Sequence, residues 1–477
     1  MKGVAEFMEK DFDLVVIGSG PGGYVAAIQA AKLGMKTAIV EEGELGGTCL
    51  NSGCIPTKTL MHSSSLYYET QNLEKFGIHA SEVSYDLEKI FERKDEVIGK
   101  IKGGIKGLLE ANKVEIISGR ATIVAPNQLA VKGNDELQAI TTDKTLIASG
   151  SKPILPKIEG IGLKDVVTST EILSMNDKIY KKLTIIGGGV IGVEIATIYQ
   201  ELGCEVTIIE AMDRILPSLD KEISQSVAMS LKKRGIKIHT KAMVTRIAHE
   251  NGLICEYEDN KAAASIQRVS GDGILVAIGR TANTEGLLGE NLLIDMERNH
   301  ILADENLETS VKGIYAIGDV IKGAQLAHVA SAQGIVAVEH MLNLEASINL
   351  EVIPSCIYTN PEIAVVGMTE TEAEEKGIPV KTAKYPMLGN SKVILSQDER
   401  GFIKLIAHKD TDEILGAQLM CPRATDMIGE FASAIINKLT IGDMARSIRP
   451  HPTYNEGINE ALNDFEGMAI HVMPRRR

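Results

Sequence analysis

One segment of this chain is used twice, and that repetition restricts the fold more than any other feature. VVIGSGPGGYVAAIQAAKLGMKTAIVEE begins at Val15 and TIIGGGVIGVEIATIYQELGCEVTIIEA at Thr184, aligned without a gap at an offset of 169 residues. Gly18, Gly20 and Gly23 fall on Gly187, Gly189 and Gly192; Leu33-Gly34 falls on Leu202-Gly203, and Glu41 on Glu210. Each copy reads as an apolar strand, a G-x-G-x-x-G turn, a helix of about 15 residues and a second apolar strand ending in an acid. A lone glycine triplet marks any tight turn. With a strand before it and a helix after it, each glycine gains a separate task. The first permits the turn, the second lets backbone approach a pyrophosphate, and the third lets helix and strand pack closely. Phosphates then meet the unpaired N–H groups of a helix N-terminus, and the terminal acid can accept ribose hydroxyls. The competing reading, two doubly wound domains without nucleotide, leaves the paired terminal acids unexplained. Two dinucleotide sites are expected.

Other punctuation divides the chain. TLIASGSKP, from Thr145, carries a strand into a Gly150 turn and closes the first unit, and ILVAIGR, from Ile274 through Gly279, closes the second. YAIGDV, from Tyr315, is another buried strand ending in Gly318-Asp319, before a helical pattern from Ala327 to Leu344. From about Glu351 the pattern changes to short strands and turns, then to helices over Ala424–Leu439 and Tyr454–Asp464. The expected architecture is α/β: two Rossmann-like dinucleotide-binding domains plus a C-terminal α+β domain. Its expected limits are 1–150, 151–278, 279–349 (returning to the first domain) and 350–477.

Composition narrows the function classes. Hydrophobic residues make up 44% and charged residues 24%, as in a globular protein. A net charge of −14 repels phosphate backbones, so no nucleic-acid partner is expected; it would suit a basic protein. The near-apolar run Leu183–Tyr199 contains four glycines and Glu194, and reads as strand, turn and helix rather than a membrane span. No membrane association is expected. The N-terminal residues lack a signal-peptide pattern, so a cytoplasmic location is expected. The three terminal arginines carry no assigned role.

Six cysteines in such a chain do not suggest a disulfide scaffold. Cys204, Cys255, Cys356 and Cys421 stand alone and read as inert buried thiols. Cys49 and Cys54 lie together in GGTCLNSGCIPTK, Gly46 to Lys58, directly after the first acid-ended strand. Such a pair is either redox-active or metal-binding. A zinc site needs two more soft ligands, no second close pair exists, and His62 alone does not complete one; no metal is expected. A helix starting near Pro56 puts Cys54 at its N-terminus, where the dipole favours a thiolate, with the charge of Lys58 one turn on. Cys49 is then the exchanging sulfur. Most of the ten histidines sit in polar, unpatterned contexts. His451, in RPHPTYNE with Glu456 five residues later, reads locally as a loop histidine before a helix-starting acid.

GGTCLNSGCIPTK resembles the active-site loop of the pyridine nucleotide-disulfide oxidoreductases. The similarity runs through the first glycine fingerprint, GGGVIGVE, the GD of YAIGDV, YTNPEIAVVG and HPTYNE, essentially the whole chain. It implies that Gly18, Gly20, Gly23 and Glu41 bind FAD, with Ser149, Gly150 and Asp319, the last at the ribityl region. Gly187, Gly189, Gly192, Glu210 and Gly279 bind the nicotinamide nucleotide. Lys58 lies near the flavin N5 and pairs with Glu194. His451 is the acid/base, oriented by Glu456, and reaches the disulfide of the opposite subunit, so a homodimer with a C-terminal dimerisation domain is implied.

Within the family, Glu210 would repel the 2′-phosphate of NADP, which sets the chain apart from glutathione reductases and points to NAD. The HVMPRRR terminus lacks the cysteine pair of mercuric reductases and the redox centre of large thioredoxin reductases; soluble transhydrogenases lack the Cys49–Cys54 pair. The dihydrolipoamide-oxidising branch remains, to which EAMDRILPSLDKE and CPRATDMIGE are also similar. It implies a lipoyl-bearing acyltransferase or glycine-cleavage carrier as partner, on a separate protein because no lipoyl domain precedes Met1. The alternatives are an NADH-dependent reductase of another disulfide and a mainly structural complex subunit. Departures from the family pattern are Ser52 for Val, Thr57 for Ser, Ser149 for Thr, Val329 for Lys, and Ile448-Arg449-Pro450 for Cys-His-Ala. They bear on flavin potential, the lipoyl channel and the choice of carrier complex.

Overall fold

The computed structural model describes residues 11–133, 136–259, 265–398 and 401–473. Residues 1–10 and the terminal arginines lie outside these. The chain forms two compact units, one of 1–217 with 227–348 and one of 218–226 with 349–477.

The first unit holds two parallel sheets that carry the sequence repeat into topology. In the first, Glu115–Ser118, Thr37–Glu41, Asp11–Ile17, Leu137–Ile147 and Ile314–Ala316 lie side by side in parallel. An antiparallel pair, Gln128–Lys132 and Arg120–Ala125, joins the early part of Leu137–Ile147. In the second, Lys237–Thr240, Glu205–Glu210, Lys182–Ile186, Gly273–Val276 and Val166–Thr168 follow the same logic. Each glycine turn thus leaves a central strand, with the acid-ended strand as its neighbour on one side. Leu14, Val15, Val16, Ile39, Leu146 and Ile185 are fully buried, because both faces of a parallel sheet are covered, one face of the second sheet by the antiparallel strands 242–271. Each such side chain contributes about 1.5–3 kcal/mol on leaving water.

The helices of this unit are α1 (Pro21–Lys32), α2 (Gly47–Ser52), α3 (Cys54–Thr70), α4 (Leu87–Ala111), α5 (Ser169–Ser174), α6 (Val190–Glu201), the later part of α7 (Lys221–Lys233) and α8 (Ala327–Met341). The two repeat helices are 12 residues long, not about 15. Gly34 and Gly203 adopt left-handed φ values of +91° and +89°, which stop each helix before the Leu-Gly pair. The helical pattern read to Leu344 ends at Met341 for the same reason, with Asn343 left-handed. The stretch Leu183–Tyr199 is strand, turn and helix, as its composition suggested. Helix α1 crosses α8 where Gly22 and Gly334 face: a Cβ on Gly334 would stand 2.7 Å from the Gly22 carbonyl oxygen. A three-stranded antiparallel sheet, Ala242–His249, Leu253–Asp259 and Ser265–Gly271, completes the second nucleotide segment.

The second unit is α+β. Its antiparallel sheet runs Ser355–Ile357, Ile363–Gly367, Ile414–Met420, Phe402–His408, Val380–Pro386. Around it lie α9 (Glu370–Glu375), α10 (Ser391–Ser396), α11 (Ala424–Ile436), α12 (Ile441–Ala445) and α13 (Glu456–Asp464). Phe431, Ile403, Leu405, Leu419, Ile458 and Leu462 form one core between sheet and helices. Among the described residues no helix is long and apolar enough to cross a membrane.

Candidate functional site

The two glycine turns have the same steric signature. A Cβ on Gly23 would stand 1.9 Å from the Gly18 carbonyl oxygen, and one on Gly192 2.1 Å from that of Gly187. At the middle glycines, Gly20 and Gly189, a Cβ would meet nothing within 4 Å. The third glycine is therefore required by packing, while the second leaves open space at the start of α1 or α6. Neither helix start has a side-chain cap, so its N–H groups are available to an anion. The repeat extends to hydrogen bonds. Glu41 accepts the N–H of Ser19 at 2.8 Å and of Gly43 at 2.8 Å; Glu210 accepts those of Gly188 at 2.6 Å and Met212 at 2.7 Å. Both acids are thus fixed against their glycine turns.

The redox segment is helical rather than a loop. Cys49 sits in α2, Gly53 links the helices, and Cys54 opens α3. Asn51 holds α2 in place, its amide donating to the carbonyls of Glu44, Leu45 and Gly47, while Gly46 N–H donates to Ser19 Oγ in the first glycine turn. Thr57, where the family has Ser, donates its hydroxyl to the Gly53 carbonyl at 2.7 Å and tightens the first turn of α3. Both cysteines are free thiols here. They hydrogen-bond each other, and the bond divides their acidities. Cys54 is held down to about 7, first by that bond and also by Lys58, against the opposing effects of burial and of the Glu194 charge. The Cys49 thiol is pushed up by the same bond and by burial. Lys58 donates to the buried carboxylate of Glu194 at 2.8 Å, tying α3 to α6.

Asp319, in the turn Gly318–Val320, accepts the Ser151 hydroxyl at 2.6 Å, and Arg280 donates to the same hydroxyl oxygen at 2.7 Å. Burial lowers the Arg280 pKa, against the charges of Asp319 and Cys54. Gly150 and Gly279, both at positive φ, begin the paired segments Ser151–Pro153 and Arg280–Ala282 that hold this triad. Ser149 donates to the Asn283 carbonyl at 2.8 Å. Asn51, Ser151 and Arg280 escaped the sequence reading. Arg280 had a signal, as the last residue of ILVAIGR; the other two had none beyond neighbouring glycines.

In the second unit, His451 Nδ1 lies 2.8 Å from Glu456 Oε1, and the other carboxylate oxygen accepts Thr453 N–H at 2.8 Å. Burial raises the Glu456 pKa, but the Thr453 N–H and His451 outweigh it and hold the carboxyl below its usual range. An ionised Glu456 fixes Nδ1 as the protonated nitrogen and leaves Nε2 as the basic one. The helix expected from Tyr454 starts at Glu456, its first residue. Arg449 is engaged by Glu430 and Asn459, and Ile448 is 97% exposed. Cys204, Cys255 and Cys421 are buried, and burial raises their pKa values; Cys356 is half-buried, unlike the expectation. His62 is exposed. Among the described residues no group of three or more His, Cys, Asp or Glu side chains could hold a metal ion.

Residues 12–334 match the pyridine nucleotide-disulphide oxidoreductase family, and residues 353–462 match that family's dimerisation domain. A dihydrolipoyl dehydrogenase of Bacillus subtilis is 40% identical, over 97% of this chain and all of that protein. One from Geobacillus stearothermophilus is 39% identical over 97% and 98%. Among solved structures, LpdA from Mycobacterium tuberculosis superposes with a TM-score of 0.87 at 26% identity, covering 94% of this chain and 99% of that one. The HOCl-induced flavoprotein disulfide reductase RclA from Escherichia coli gives 0.83 at 29%, covering 95% and 99%. With its repeated glycine turns, paired thiols and two matched segments, the chain belongs to the pyridine nucleotide-disulphide oxidoreductases.

Proposed function

We propose that this chain oxidises protein-bound dihydrolipoamide to lipoamide with reduction of NAD, as an FAD-containing cytoplasmic homodimer. Its carrier is the lipoyl-bearing acyltransferase or glycine-cleavage protein of a multienzyme complex. The observation that carries the proposal is the placement of Cys54 beside Cys49 at the start of α3, with Lys58 on Glu194 one turn further on, an arrangement that favours a Cys54 thiolate. Residues 1–150 and 279–349 form the FAD domain, 151–278 the NAD domain and 350–477 the subunit interface.

The residues present fit both dinucleotides, since each turn offers open space at its middle glycine beside an uncapped helix start. Gly18, Gly20, Gly23, Glu41, Ser149, Gly150 and Asp319 would hold FAD, with Lys58; Gly187, Gly189, Gly192, Glu210 and Gly279 would hold NAD. When bound, the flavin supplies the two-electron relay between the thiols and the nicotinamide. In the resting enzyme Cys49 and Cys54 are joined as a disulfide. His451 of the opposite subunit takes a proton at Nε2 from one dihydrolipoamide thiol, and Glu456 stabilises the resulting imidazolium. The substrate thiolate attacks Cys49 Sγ; the Cys49–Cys54 bond breaks and Cys54 leaves as a thiolate, favoured by its low pKa and by Lys58. The second substrate thiol attacks the substrate sulfur of the mixed disulfide, and its proton passes to the departing Cys49 sulfur while His451 keeps the first. Lipoamide is released and Cys49 returns as a thiol.

Steady-state rates test the reading directly. Dihydrolipoamide with NAD should be turned over far faster than glutathione disulfide or Hg(II) with reduced nucleotide. A preference for another disulfide driven by NADH would replace this reading with a reductase of that substrate.

A further inference from the structure

Helix α3 lies on α6 with two polar rungs between them. The first is Lys58–Glu194. The second comes seven residues further along both helices, at Ser65 and Glu201, two turns or about 10.5 Å of rise and hence the same face. There Ser64 and Ser65 donate their hydroxyls to Glu201 Oε2 at 2.6 and 3.4 Å, and Arg234 Nη1 meets Glu201 Oε1 at 3.4 Å. The Arg234 guanidinium also lies 5.0 Å over the ring of Tyr68, back on α3. The side chains of Glu201 and Arg234 are 1% and 4% exposed.

Burying such a pair has a large desolvation cost, and a packed apolar contact would stabilise the helices as well or better. Burial indeed raises the Glu201 pKa, against the pull of Ser64 and Arg234. What an ion pair supplies and an apolar contact does not is register. Leucines tolerate a slide along a helix groove; a carboxylate shared by two serines and a guanidinium has one position at which every partner is met.

We infer that Glu201 and Arg234 are positioning residues that lock α3 on α6, so that Lys58 stays on Glu194 and its charge stays beside Cys54. The inference rests on the roles given above to Lys58 and Cys54. Loss of the lock lets the half-exposed Lys58 swing away, and Cys54 loses part of what keeps it acidic.

The test uses reduced holoenzyme, with the pH dependence of iodoacetamide alkylation at Cys54 as readout, beside the long-wavelength thiolate–flavin absorbance and the melting temperature. Glu201→Gln keeps the shape and removes the Glu201 charge from Arg234 and from the two serines. Ser64→Ala with Ser65→Ala removes the rung's hydrogen bonds to α3 while leaving the Glu201–Arg234 pair and the Arg234–Tyr68 contact in place, and it covers the case in which Glu201→Gln does not fold. Each should raise the Cys54 pKa by about half a unit, lowering alkylation at pH 7 about twofold, and weaken the absorbance band. In a Glu194→Gln background, where the Lys58–Glu194 ion pair is already gone, the serine pair should add no further shift to the one that loss of the Glu194 charge itself makes. The inference is overturned if the folded variants lose melting temperature while Cys54 titrates as in the wild type. Lys58→Met separates the two layers. If it leaves the Cys54 titration unmoved, the role given to Lys58 is wrong and the positioning inference falls with it; if it raises the pKa while the serine variant does not, the positioning inference alone fails.

Discussion

Adding a single methyl group to the second nucleotide turn should have opposite consequences at two positions three residues apart. At Gly192 a Cβ would stand 2.1 Å from the Gly187 carbonyl oxygen, where ordinary contact begins at 3.4 Å, so α6 must move more than an ångström from its strand. Overpacking of this kind costs about 1–3 kcal/mol, or about 2–4 °C of melting temperature per kcal/mol. At Gly189 the same atom meets nothing within 4 Å, and Gly189 already has negative φ, so the folded protein accepts Gly189→Ala at little cost. The methyl would instead occupy the approach of the pyrophosphate. A clash of about 1.4 kcal/mol there gives a tenfold loss of affinity. Calorimetry and steady-state kinetics separate the two. Gly192→Ala should melt earlier; Gly189→Ala should melt as the wild type, retain its FAD, and show a KM for NAD raised about tenfold or more. A Gly189→Ala enzyme with unchanged KM would refute the assignment of this turn to nucleotide phosphate, and an unshifted melting temperature in Gly192→Ala would refute the packing argument.

Three further outcomes follow from the site. Replacing Glu210 by Gln or Arg should narrow the preference for NAD over NADP, read as the ratio of kcat/KM values; use of both nucleotides by the wild type would count against the reading. Because Cys54 is acidic, the thiolate–flavin band of the reduced enzyme should fade as pH drops through about 7 and be full above it. Cys49→Ser, whose hydroxyl can still donate, should keep the band, Cys49→Ala should shift its midpoint upward, and Cys54→Ser should lose it. His451→Gln should lower turnover by about two to four orders of magnitude with FAD content intact. Purified heterodimers of His451→Gln and Cys49→Ser subunits should recover about half the wild-type activity; heterodimers as inactive as either parent would sink the trans assignment.

The legible parts of this protein were those in which one residue type alone satisfies the geometry. Gly23 and Gly192 are required because any side chain would strike a carbonyl, so the repeat exposed both nucleotide turns without an atom of structure. The apolar strands were legible because parallel sheets bury both faces. Element ends were less so: Leu33-Gly34 and Leu202-Gly203 were visible as matched pairs, yet a left-handed glycine, not the apolar pattern, ends each helix. The pairing of His451 with Glu456 came from family resemblance, since a proline-flanked loop has no periodicity to aim a side chain.

What stayed hidden has a common physical form. Ser151 and Asp319 are 168 residues apart, and Arg280 reaches Ser151 across 129. Each is a single polar side chain in an otherwise unremarkable context, and its partner is fixed by how two strands and a turn meet, not by local spacing. Glu194 and Glu201 are more telling. Both are acids in a nearly apolar helix, seven residues apart, and that spacing was visible in the sequence; their partners Lys58 and Ser64 belong to another helix whose register on α6 had to be seen. An acid buried in an apolar run is costly enough that some partner must exist. The sequence could therefore demand partners for both glutamates while leaving open that the partners, Lys58 and Ser64, sit on the one helix that opens with Cys54. The acidity of that thiol depends on its neighbours in space, Cys49 and Lys58, and the contact of its helix with α6 extends two turns beyond them.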